Sequence, residues 1–175
     1  MQETLRGQLL IAAPSLFDYF RRTVILVIEH TPEGAMGVVL NRESETRVAD
    51  AVPQLAPLAG EDELVRIGGP VAPDSVVALG EFEDVGEAGL QVIGRLATLD
   101  PDAPNDSLRR VRVYAGYAGW GAGQLDGELE QDAWVVAPAD EADPFREGDI
   151  WSDALERRGG AYRLLATMPP DPSQN

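Results

Sequence analysis

The sequence predicts an α+β fold: a single domain on a mixed, largely antiparallel sheet with two or three helices. Three observations lead there. Strand-sized runs of β-branched and apolar residues outnumber helical patterns. The few helical patterns do not alternate with strands, as the crossovers of a doubly wound parallel sheet would require. Glycine and proline recur between the runs and mark short connections. The chain has 175 residues, 44% of them apolar, which fits one domain with a real core. No repeat, linker or low-complexity tract divides it. The domain is placed at residues 1–168, with 169–175 as a polar, proline-rich, flexible C-terminal tail.

Residues 7–13 read as a first strand ended by Pro14, and residues 15–20 as a short helical turn. The unbroken run from Thr23 to Glu29 is a strand covered on both faces, because it offers no polar side to water. Thr31-Pro32-Glu33-Gly34 places proline second and glycine fourth, as type I turns favour, so residues 35–41 return as its partner. Residues 47–52 fit a short helix halted by Pro53. Leu64 to Ile67 is a short strand entering Gly68-Gly69-Pro70. Residues 76–81 and 90–96 are strands around an acidic loop, and residues 100–107 form a second loop rich in proline and aspartate. Residues 111–117 are a strand, followed by glycines at 119, 121 and 123 and a helix over 124–131. On that helix Leu125 and Leu129 share a face at i, i+4 and pack inward. Residues 133–137 are another strand. Asp149 caps a helix from Ile150 to Arg158 whose apolar stripe is Ile150, Trp151, Ala154 and Leu155, with Gly159 closing it. Residues 162–166 read as a last strand.

The composition removes more chemistry than any motif supplies. Cysteine is absent, and all fourteen basic residues are arginine. This excludes thiolate nucleophiles, thiolate metal sites, Schiff-base catalysis and the lysine of a phosphate-binding P-loop. A single histidine cannot build a three-histidine zinc site, and no G-x-S-x-G occurs. Any enzyme here works with carboxylates, one imidazole, tyrosines or backbone amides. The formal charge of -16 opposes a phosphate backbone, so direct nucleic-acid binding is not expected. Apolar runs stay far below the roughly 18–20 residues of a membrane span, and the chain reads as cytoplasmic.

The glycines after residue 117 follow a strand and precede a helix, which invites a phosphate cradle. The dinucleotide spacing fails, since Gln124 stands where the third glycine belongs, and acidic residues follow. Asp100, Asp102 and Asp106 do not make a calcium loop, because proline, asparagine and valine occupy its required positions. No cofactor or metal is expected, and no catalytic residue is assigned. His30 closes a buried strand beside a turn, where it serves either as a base or as a backbone-bonding structural residue. Gln124 and Glu128 share one helical face beside the Trp120 loop; they line a cleft or form a solvated face. Gly68-Gly69-Pro70 either floors a pocket or marks a tight crossing of the sheet. The tentative ligand-binding set is His30, Asn41, Gly69, Trp120, Gln124 and Glu128, around a pocket where the hairpin, the Gly68-Gly69-Pro70 bend and the Trp120 loop meet.

Taken together, three blocks carry a resemblance: residues 7–14 with 20–30, Gly34-Ala35-Met36-Gly37-Val38-Val39-Leu40-Asn41-Arg42, and residues 116–125 through Trp134, with Gly68-Gly69-Pro70-Val71 between them. The set resembles the YqgE/AlgH family of bacterial proteins over roughly residues 5–166. The resemblance implies a cytosolic α+β protein whose strongly bent sheet folds toward a pseudo-barrel. Some members carry the label of transcriptional regulator without a DNA-binding motif, and no catalytic residue carries over. The first functional expectation is therefore a noncatalytic regulatory or adaptor protein that binds a protein or small ligand and reaches transcription indirectly. The alternative is an enzyme or small-molecule-binding protein using the pocket above.

Overall fold

The computed structural model describes residues 4–14, 16, 18–99 and 106–167. The expected tail and residues 100–105 of the expected loop lie outside the described residues. Ten strands form one sheet: β1 (Gln8–Ala12), β2 (Val24–Thr31), β3 (Gly34–Val39), β4 (Glu43–Arg47), β5 (Leu64–Ile67), β6 (Val71–Phe82), β7 (Gln91–Ile93), β8 (Leu96–Thr98), β9 (Leu108–Gly121) and β10 (Trp134–Pro138). The helices are α1 (Val48–Ala51), α2 (Ala56–Ala59), α3 (Gln124–Glu130), α4 (Ile150–Arg158) and α5 (Tyr162–Leu165). The α+β class holds, with five helices among the described residues; α1 falls within the short helix expected over 47–52, whereas α2 and α5 have four residues each, too few to leave a periodic signal.

The strands run in the order β10-β1-β2-β3-β9-β6-β8-β7, so the sheet stays open at β10 and β7 and does not close into a barrel. All pairs are antiparallel except β5 with β9, which makes the sheet mixed. β2 begins and ends close to its expected bounds, and Val24 to Ile28 are all at most 1% exposed. Val24, Leu26 and Ile28 enter a core with Leu9, Leu40, Trp151 and Leu155 beneath α4, while Ile25 and Val27 enter another with Leu10, Trp120, Leu125 and Trp134 beneath α3. A third cluster, around Phe82, Val111 and Val113, packs Val48 of α1 against the far half of the sheet. The indole of Trp151 donates to the Ala12 carbonyl at 2.8 Å and carries the Arg22 guanidinium on its face at 4.0 Å.

β9 organises the molecule. At Tyr114 and Ala115 it is flanked by β6 on one edge and β5 on the other. Farther on, residues 118–121 pair with β3, which lies on the β5 side because β3 and β6 are opposite neighbours of β9. The chain leaving β5 must therefore cross β9 to begin β6, and Gly68-Gly69-Pro70 makes that crossing. A Cβ on Gly68 would overlap the Gly116 carbonyl oxygen, and one on Gly69 would overlap the Tyr117 peptide. Of the two readings of these glycines, the structure shows the tight crossing.

Other expectations need correction. Residues 162–166 are not a strand: Gly159 and Gly160, at φ 80° and 61°, turn the chain back so that α5 packs on α4, where Ser152 Oγ donates to the Ala166 carbonyl at 2.9 Å. The stretch 90–96 is two strands, because Gly94 at φ 54° folds it into the β7–β8 hairpin. No helix forms among residues 16 and 18–20; instead the Asp18 carboxylate accepts from the Phe20 N–H at 2.9 Å in a local turn. The strand expected over 111–117 runs on through Gly121, because β3 pairs with the glycine-rich segment. Among the described residues no helix is long and apolar enough to cross a membrane.

Candidate functional site

Gly123, at φ 74°, turns the chain from β9 into α3 and brings Gln124 and Glu128 back over the strand end. Gln124 Oε1 accepts from the Gly121 N–H at 3.0 Å, and its amide donates to Glu128 Oε2 at 3.2 Å. Glu128 Oε1 accepts from both the Trp120 and Trp134 indoles, at 3.0 and 2.9 Å. The two indoles meet edge to face with centroids 6.3 Å apart. Trp120, Gln124 and Glu128 thus come together as one network around Trp134. Trp134 is the member that residue-by-residue reading missed; its indole in a buried position was the available signal, since such a donor needs an acceptor.

The other three residues take different places. His30, Ala35 and Trp120 stand opposite one another on β2, β3 and β9, which puts His30 two strands, about 10 Å, from the Trp120 backbone. Its Nδ1 accepts from the Leu5 N–H at 3.0 Å and so fastens the start of the chain. Asn41 sits at the other end of β2, about 20 Å along the strand. There its side chain accepts from the Val24 N–H at 3.0 Å and donates to the Arg22 carbonyl at 2.9 Å. Gly69 lies in the crossing, packed on the Tyr117 peptide.

Three hollows bear on function. The largest, about 530 Å³, is an open groove where the β2–β3 hairpin, the segment after Pro70 and the end of β9 meet. Its lining includes Glu29, Glu33, Met36, Val71, Tyr117 and Gly119, with Trp120 the one member of the expected set. A smaller hollow of about 210 Å³ lies between His30 and the turn at Gly123. The third, about 360 Å³, lies against α4; in its wall Asp143, 2% exposed, accepts from Arg146 and Arg157, each at 2.8 Å.

An ionic network around two buried arginines also escaped the sequence reading, because its members are scattered along the chain. Arg66 on β5 and Arg112 on β9 are 5% and 8% exposed. Glu63 and Glu147 bridge them, with Arg112 to Glu147 at 2.5 Å and Arg112 to Glu63 at 3.3 Å, while Glu43 adds a contact to Arg66 at 3.2 Å. Burial holds the Glu63 carboxyl above its usual range, against the opposing pull of Arg112. Tyr114 is fully buried nearby, and its hydroxyl has no hydrogen-bond partner among the described residues. Burial pushes that phenol upward, and Arg112 only partly offsets this.

Tyr114→Phe is therefore expected to stabilise the protein by about 1 kcal/mol, since it removes a buried polar group that gains nothing. A folded-state value raised above the unfolded one makes wild-type stability fall as pH climbs beyond about 10, so the advantage of phenylalanine widens there. Urea denaturation at neutral and alkaline pH checks both statements. A less stable variant at neutral pH would count against them.

An open, mostly antiparallel sheet organised by one long strand and accompanied by short helices defines a class of small α+β proteins. The chain belongs to the AlgH-like family, whose profile it matches over residues 9–163. It is 42% identical to a UPF0301 protein of Mycobacteroides abscessus, covering 97% of this chain and 87% of that one. It is 44% identical to a UPF0301 protein of Mycolicibacterium gilvum, covering 97% and 89%. The fold matches a crystal structure of a Corynebacterium diphtheriae protein with a TM-score of 0.87, 32% identity and coverage of 95% and 93%. It also matches the solution structure of the AlgH protein from Pseudomonas aeruginosa, with a TM-score of 0.72, 33% identity and coverage of 97% and 98%.

Proposed function

We propose that this protein is a noncatalytic regulatory or adaptor protein of the cytosol that binds a partner on the groove between the β2–β3 hairpin and β9. One observation carries the reading. His30, Asn41 and Glu128 hold the chain's own backbone and indoles, whereas the widest of the three hollows is open and acidic, with Gly119 in its lining. Glu128 has one oxygen on two indoles and the other on Gln124, which suits a strut better than an acid–base group. Any effect on transcription passes through a protein partner, because a formal charge of -16 repels DNA.

Backbone amide NMR tests this. A panel of peptides, nucleotides and small metabolites is added in turn, alongside chromogenic ester, phosphoester and glycoside substrates. The expected result is shifts confined to residues 29–36, 71 and 117–120, with no turnover. Turnover that disappears in His30→Ala or Glu128→Gln while the fold persists would establish the enzyme reading instead. A low-salt gel shift that depends on DNA sequence would refute the indirect route to transcription.

A further inference from the structure

We propose that the outer edge of β9 beside the groove takes up an extended, cationic peptide segment as an added strand. This rests on the groove reading above and names its partner class. β6 begins at Val71, opposite Tyr117, while β9 continues to Gly121. Among the described residues, residues 118–121 therefore have a ladder partner, β3, on one edge only. The Gly121 N–H turns away from β3 to Gln124 Oε1, and backbone direction alternates along a strand. Gly119, two residues earlier, thus presents its N–H and C=O on the same open edge.

The sheet's other edges are blunted in the usual ways. β10 ends in Pro138, and Arg158 Nε donates to its Val136 carbonyl at 3.1 Å. β7 has three residues. β4 carries Glu43, Glu45 and Arg47. The Ala118-Gly119-Trp120-Gly121 edge has no proline and no charge, which suits it to main-chain pairing with another segment. On the same face of the sheet, Glu29 lies in register with Met36 and Gly119, two strands back from this edge. With Glu33 of the hairpin turn it places exposed carboxylates in a groove that has no cation in its lining and apolar surfaces from Val71, Tyr117 and Met36. Successive side chains of an added strand point to opposite faces. Arginines on the groove face lay their stems on Val71, Tyr117 and Met36 and send their guanidinium groups toward the carboxylates, while the intervening apolar residues lie on the face of Ala118 and Trp120. A second copy of this chain does not complement that arrangement, since each copy carries a formal charge of -16.

The probe is an end-capped alternating Arg–Val peptide of about six residues, a common strand length. Its controls are an alternating Glu–Val peptide and an Arg–Val peptide N-methylated at every backbone amide, so that neither edge can donate. The expected result is saturable shifts at residues 117–121 and 29–36 with Arg–Val alone. Gly119→Val should weaken this at least about tenfold. The parent fold should survive that change, because a Cβ at Gly119 meets its nearest neighbours, Tyr117 and Val71, at an ordinary 3.6 Å. Glu29→Gln with Glu33→Gln should weaken binding and flatten its salt dependence. Equal binding by the N-methylated peptide would reduce the contact to charge alone and overturn strand addition. Binding by Glu–Val but not Arg–Val would overturn the partner class and leave the groove reading intact. If none of the three moves these amides, the inference falls, and the groove reading stands or falls on the wider ligand panel.

Discussion

Gly116→Val is expected to abolish stable folding. Gly116 sits at φ 73°, a conformation that a β-branched residue adopts only under strain. Its Cβ would lie 2.5 Å from the Gly69 carbonyl oxygen and 3.0 Å from that of Val71. Neither neighbour can yield, because Gly69 lies in the crossing from β5 to β6 and Val71 pairs with Tyr117. The expected cost exceeds about 4 kcal/mol, against a typical domain stability of about 5–15 kcal/mol. Gly123→Ala supplies the control. Its φ of 74° is similar, yet nothing lies within 4 Å of the new Cβ, so the loss is that of the left-handed conformation alone, about 1 kcal/mol. Urea midpoints and soluble yield of the two variants check the contrast. Equal stability would show that the crossing relaxes and that steric overlap is not what demands glycine there.

Glu128→Leu should cost about 3 kcal/mol, because it strips the acceptor from two indole N–H groups and a partner from Gln124. Glu128→Gln keeps a carbonyl oxygen where the indoles point and should recover most of the loss. Near-UV circular dichroism and tryptophan fluorescence report the environment of Trp120 and Trp134 directly, and urea denaturation gives the stability. A leucine variant as stable as the parent, with unchanged indole signals, would dismiss the strut role.

Residues 24–28 show what local pattern reveals. Five consecutive apolar side chains can satisfy a strand only if both faces are covered, and both are. The α4 helix was equally readable: Asp149 accepts from the Ser152 N–H at 3.1 Å, and the stripe from Ile150 to Leu155 is buried. The i, i+4 spacing put Gln124 and Glu128 on one helical face beside the Trp120 loop but left a cleft and a solvated face equally open; their bonds to Gly121 and the two indoles appear only in the structure. Asn41 had no such signal. Its role at the start of β2 depends on how the β2–β3 hairpin closes, and no residue beside it in sequence records that.

By itself, then, the amino-acid order determined the α+β class, the doubly covered strand, the capped helix and the exclusion of thiol, lysine and multi-histidine chemistry. These depend on residue type and on neighbours a few positions away. Tertiary structure alone decided that the chain crosses β9 at Gly69, that Arg66 and Arg112 are buried together, and that β9 outruns β6 to leave an open edge. Each of those joins segments distant along the chain. Their meeting is selected by the packing of the whole sheet, a quantity that no local window contains.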